Sequence, residues 1–183
     1  MTLKKTTAGL ILLTVMLTGA ACSSNQPKSS PSPVAAATSN TTAAPQATAE
    51  SQDAINMKGY IAARIAQEKV DFLFAEAKST DGAFILNPKA ADGKEKAVKF
   101  LSSYFDTAMA DKLTAHYLTD QKVDNAIVTN KQSFFTSNLL ATKKEDITFD
   151  ASNSKDQVKF TTKDGVTYTT KKANDKFVVA DVQ

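Results

Sequence analysis

The sequence predicts an α+β domain, with two or three N-terminal helices packed on a C-terminal antiparallel β-meander, and three observations predict it. Between residues 51 and 117 apolar side chains recur at helical spacing. Between residues 147 and 182 the period drops to two, and Asp164-Gly165 and Asn174-Asp175 stand where turns are needed. Helices come first and strands after them, without the strand–helix alternation that a parallel sheet requires.

The first helix is expected in "SQDAINMKGYIAARIAQEKVDFLFAEAKSTDG". Ser51 or Asp53 can cap its start and Asp81-Gly82 marks a stop. Met57, Ile61, Ile65, Phe72 and Glu76 fall on one face, with Ala62, Ala66, Leu73 and Ala77 beside it. "AFILNPKAADG" reads as an apolar loop that packs on the core. A second helix fits "GKEKAVKFLSSYFD", with Ala97, Leu101, Tyr104 and Ala108 in one stripe and Val98 and Phe105 adjoining it. Asp106 or Thr107 can cap a short third helix, "TAMADKLTAHYL", which presents Met109, Leu113 and Tyr117 at spacing four.

In the second half, Val158 and Phe160, then Val166 and Tyr168, then Phe177 and Val179 mark three strands joined by two tight hairpins. "DITFD", around Ile147 and Phe149, is a fourth strand. "NAIVTNKQSFFTSNLL" admits two readings: Ile127-Val128 and Phe134-Phe135 in strands, or a helix beginning within residues 133–140.

Three parts divide the chain: residues 1–21, 22–50 and 51–183. Lys4 and Lys5, the apolar run "AGLILLTVMLTGA" and the small residues "GAA" make the first an export signal. Its apolar run falls short of the roughly 20 residues that span a bilayer. Residues 23–49 contain four prolines and one aliphatic side chain larger than alanine, Val34, and so are expected to remain a disordered tether. As a flexible coil such a tether reaches roughly 30 Å end to end. The chain carries 22 Lys+Arg against 19 Asp+Glu, but Lys4, Lys5 and Lys28 account for the whole excess. The folded part is therefore neutral, which argues against nucleic acid as a partner.

"LTGAACSSNQP" contains the only cysteine, Cys22, between the apolar run and the polar tract. This segment resembles a bacterial lipoprotein signal, with Gly19 standing where that family generally has Leu, Val or Ile. The resemblance implies that the Cys22 thiol takes a diacylglyceryl group, with palmitate-type acylation, and that cleavage makes Cys22 the first residue of the mature protein. A lone thiol outside the cytoplasm has no disulfide partner, and lipidation removes that liability. Two or more acyl chains would hold the protein durably on the cell membrane or outer membrane, at the extracytoplasmic face.

The helices, the aromatic pair Tyr104-Phe105 and the closing "DGVTYTTKKANDKFVVADV" are together similar to the nuclear transport factor two-like cone, in which a curved sheet wraps the helices. Phe177 stands where that family often has Trp. The family holds enzymes, binding domains and exported lipoproteins of unassigned role. It therefore implies a fold and leaves the function open.

Chemistry is sparse. With Cys22 committed to the anchor, His116 is the one remaining soft ligand, so neither a zinc site nor any other metal or cofactor is expected. "DASNSKDQ" lacks the glycine and terminal glutamate of a calcium loop and reads as a polar turn. There is no nucleophile elbow and no glycine-rich phosphate loop. The cone-family resemblance implies one catalytic candidate, His116 as a general base oriented by Asp111 or Asp120. The plainer reading places His116 near a helix C-terminus, where its cation is favoured. Phe72, Phe84, Tyr104, Phe105 and Phe160 can line a ligand pocket or simply form core. The expected function is a non-enzymatic module that binds a protein, peptide or small-molecule ligand, with a small enzyme using His116 as the alternative.

Overall fold

Ser51 opens the first helix as expected: its hydroxyl accepts a hydrogen bond from the Ala54 amide at 3.3 Å, and Asp53 adds a negative charge to the first turn. The computed structural model describes residues 50–183; the expected export signal, Cys22 and the Ser/Pro/Ala/Thr-rich stretch lie outside the described residues. Three helices precede the main sheet: α1 (Gln52–Phe74), α2 (Lys94–Leu101) and α3 (Thr107–Tyr117). A two-stranded hairpin, β1 (Leu118–Val123) and β2 (Ala126–Thr129), follows them. The antiparallel meander is β3 (Ile147–Phe149), β4 (Gln157–Thr162), β5 (Thr167–Ala173) and β6 (Lys176–Val182), in that spatial order. The architecture is α+β.

The meander follows the sequence pattern closely. Phe160 faces Tyr168 across β4 and β5, with their rings stacked at 5.3 Å, and Phe149 faces Phe160 across β3 and β4. Asn174 and Asp175 both have positive φ and form the two-residue turn between β5 and β6, as a right-twisted hairpin demands. Val158, Phe160, Thr162, Tyr168 and Thr170 are buried on the helix side, while Gln157, Lys159 and Lys171 point to water. The β6 edge, and β4 where it runs beyond the short β3, are partly covered. Tyr104 and Asp106 exchange backbone hydrogen bonds with Val179 of β6, and the Asn153 amide side chain bonds the Lys159 backbone of β4.

Four sequence expectations are corrected. The face of α1 is turned: Ile61 and Ile65 are 48% and 41% exposed, while Ile55, Gly59, Ala63, Ala66 and Val70 face inward. The reason is approach distance. A Cβ at Gly59 would stand 2.5 Å from Val158 Cβ, so the helix lies on the sheet through a stripe of small residues that isoleucines would hold away.

Helix α1 also stops at Phe74, before Asp81-Gly82 and before Glu76 and Ala77. The carbonyls of its last turn are taken by distant groups. Asn87 donates to Phe72 O through its side chain and to Leu73 O through its backbone, both at 2.9 Å, and Thr129 Oγ1 donates to Phe74 O at 2.7 Å. Those partners satisfy the groups that a longer helix would have used.

Helix α2 ends at Leu101, because the Tyr104–Asp106 backbone is engaged with β6 and cannot remain helical. Asp106 instead caps α3, accepting from the Met109 amide at 2.8 Å, and Met109, Leu113 and Tyr117 are buried as their spacing predicts. Finally, α3 yields at Leu118 to strand β1, an element the polar "LTDQKV" did not announce. Ile127 and Val128 do lie in a strand, whereas residues 133–140 form neither strand nor helix. That segment is held by the Gln67 side chain, which accepts from the Leu139 amide at 2.8 Å and donates to Ser137 O at 3.1 Å.

Candidate functional site

The turned face of α1 borders an open, mainly apolar groove. Ile61, Ala62 and Ile65 form one wall; Tyr104, following α2, and Phe177, at the start of β6, form the other. The groove has a volume of 390 Å³, inside the range of small-molecule sites. Two structural constraints bring these walls together. The small-residue contact with the sheet fixes the roll of α1, and the Asn174-Asp175 turn presents Lys176 and Phe177 beside Tyr104.

Charge sits at the rim. Lys58 pairs with Glu50 at 2.6 Å, and Asp175 pairs with Lys172 at 3.4 Å. The Lys176 ammonium donates to Ser103 O at 2.7 Å and stands 5.9 Å from the Tyr104 ring centroid. Among the described residues no carboxylate lies within ion-pair distance of it. The rim therefore holds one cation without a countercharge, set over an apolar floor.

His116 lies near the end of α3, half-buried, with Nε2 2.8 Å from Gln132 O. A carbonyl only accepts, so Nε2 carries the proton. Its ring packs edge-on to Tyr117 at 4.8 Å and to Phe134 at 5.4 Å. Neither Asp111 nor Asp120 bonds it, so the structure does not assemble the dyad that a general base needs. The proton on Nε2 and the aromatic packing are those of a histidine that ties the 130–135 segment to α3.

Of the five aromatic candidates, Tyr104 alone lines the groove. Phe105 and Phe160 are fully buried core, Phe72 packs on Phe100 at 6.0 Å, and the Phe84 ring has the ammoniums of Lys78 and Lys131 at 4.9 and 5.8 Å from its centroid. Asp150 begins the expected polar turn. Its carboxylate accepts from the amide and hydroxyl of Ser152, which hold its pKa below the ordinary aspartate value. Among the described residues no three His, Cys, Asp or Glu side chains gather as a metal would require, and no helix is long and apolar enough to cross a membrane. Cys22 lies outside them.

Sequence reasoning missed Ile61, Ile65 and Lys176. A signal for the isoleucines was present: a helix with apolar residues on two faces buries the one whose small side chains, Gly59, Ala63 and Ala66, allow close approach. Comparisons of the chain with family models, with curated proteins and with solved structures find no match.

Proposed function

We propose that this chain is an extracytoplasmic lipoprotein, held to the cell membrane or outer membrane by acyl chains on Cys22, and that its domain is a non-enzymatic binding module. The observation that carries the binding reading is the α1 groove. Ile61, Ile65 and Leu140 are the large hydrophobic side chains exposed among the described residues, and two of them stand in one groove wall. Covering the exposed half of each isoleucine is worth about 1 kcal/mol, so a ligand with an apolar body gains from both. The anchor reading is supported by Lys4, Lys5, the apolar run and the small residues before Cys22. Tethering through residues 23–49 would raise the module's effective concentration near neighbours in the same membrane.

Both halves have a direct test. Mass spectrometry of the protein from native membranes is expected to find the diacylglyceryl group on an N-terminal Cys22; an uncut leader or a free thiol there overturns the anchor. Nile red, a neutral apolar dye, is expected to bind the full chain and to lose affinity when Ile61 or Ile65 becomes Asp, with circular dichroism unchanged. Dye binding indifferent to both substitutions overturns the groove as the binding site.

A further inference from the structure

Resting on the reading of the α1 groove as a binding site, we infer that its ligand is a free single-chain anionic amphiphile, of the kind a fatty acid monomer represents. Size narrows the class first. A groove of 390 Å³ holds about one turn of a helix whose diameter with side chains is about 10 Å. Its five apolar side chains fall well short of the roughly 20–30 residues a side in a stable protein interface. The same volume suits a small molecule with one hydrocarbon chain.

Charge narrows it further. Lys58 and Asp175 each have an oppositely charged neighbour, at 2.6 and 3.4 Å, which leaves the Lys176 ammonium as the unmatched charge at the rim. Ser103 O uses one of its three N–H donors and fixes the group beside Tyr104. Two donors remain for an anionic head, and a carboxylate there completes the charge balance while the alkyl chain covers Ile61 and Ile65. An uncharged alkyl ligand leaves the ammonium unmatched. A cationic one is repelled by it.

The test is displacement of Nile red from the full chain carrying Cys22→Ser, which has no acyl group of its own to compete. At about pH 8 an alkyl carboxylic acid is ionised. Dodecanoate is expected to displace the dye at a concentration about fivefold lower than dodecanol, the worth of one partly exposed ion pair. Lys176→Met is expected to abolish that preference, each displacement being scaled to the variant's own dye affinity, and Lys176→Arg to keep it. Equal displacement by acid and alcohol, with the dye still bound, overturns the amphiphile and leaves the binding module standing. Preference that survives Lys176→Met overturns the role of Lys176. Absence of dye binding removes both readings together. Phosphatidylglycerol vesicles provide the last arm. If the chain sediments with them in a Lys176-dependent way while dodecanoate fails to displace the dye, the site takes a bilayer headgroup and the inference falls.

Discussion

Gly59 of α1 lies directly against Val158 of β4: a Cβ added at Gly59 would stand 2.5 Å from Val158 Cβ and 2.7 Å from Thr170 Oγ1. Alanine is the better helix former by about 1 kcal/mol, so an exposed Gly→Ala change within a helix stabilises. Here the added carbon meets an atom fixed to the sheet backbone, and such overpacking costs about 1–3 kcal/mol. Gly59→Ala is therefore expected to lower stability by up to about 2 kcal/mol in urea unfolding. Val158→Ala should not rescue it, because that change keeps the Cβ that makes the contact. A Gly59→Ala protein more stable than the parent would show that α1 can lift off the sheet, and would undo the explanation for why Ile61 and Ile65 face outward.

Gln67 is the buried counterpart of that contact on the next turns of α1. Its carboxamide meets the backbone at Ser137 and Leu139, pinning a segment with no regular structure of its own. Gln67→Leu fills the same space without hydrogen bonds. Ser137 O still receives the Tyr168 hydroxyl at 3.4 Å, so the Leu139 amide is the group left without a partner. The expected cost is about 1–3 kcal/mol. Hydrogen exchange is expected to accelerate selectively at Leu139, before any change in the meander. Unchanged exchange there would mean the segment is held by its apolar side chains alone.

How far the sequence reached depends on whether each feature was local. The meander was legible because alternation and turn chemistry lie within a few residues of each other: Val158-x-Phe160, Val166-x-Tyr168 and the Asn174-Asp175 turn each speak for themselves. Helix α3 was legible for the same reason, with Asp106 three residues before the amide it caps. The end of α1 was not, since Asn87 and Thr129, which occupy its last carbonyls, are remote in the chain. Its buried face was misread because large apolar residues were weighted over small ones, whereas contact between backbones selects Gly59 and Ala63. The groove was beyond reach altogether. Residues 58–65, 103–104 and 175–177 meet only once α1 has been rolled by Gly59, and the Lys176 ammonium is held there by Ser103 O, 73 residues away in the chain.

The β1–β2 hairpin shows how a polar strand pair can still be specified by its turn. Asp124 and Asn125 have φ of 53° and 63°, the two left-handed positions of a type I′ connection. Thr80 Oγ1 donates to Asp124 Oδ2 at 2.9 Å, so the turn is also tied to the loop after α1. Glycine is the preferred second residue of such a turn, and Asn125→Gly is expected to add a few tenths to about 1 kcal/mol. A β-branched residue should do the reverse, with Asn125→Val costing about 1–2 kcal/mol. Thermal unfolding of the two variants should shift in opposite directions. A common direction would show that the turn conformation does not control this hairpin.

Asp71 gives the pH prediction. It is exposed overall, yet it lines a 120 Å³ recess walled by Val70, Phe74, Phe84 and Tyr117. Burial raises its pKa above the ordinary 3.8, and the nearby negative charge of Glu76 adds to the rise. A raised folded-state pKa means that the folded protein holds this proton more tightly than the unfolded chain does. Its stabilising contribution is complete below the ordinary value and is lost as pH rises through the raised one. At neutral pH the ionised carboxylate is thus a net cost to the fold. Asp71→Asn removes that cost and should raise the melting temperature at neutral pH, and Glu76→Gln should do so to a smaller extent. The advantage of Asp71→Asn should shrink as pH falls through the raised value and close below 3.8, where the parent carboxyl is itself neutral. Melting curves of parent and variant across that range decide the matter: a gap that widens toward acid, or an Asp71→Asn protein less stable at neutral pH, would mean that the carboxylate is stabilised in its recess rather than penalised there.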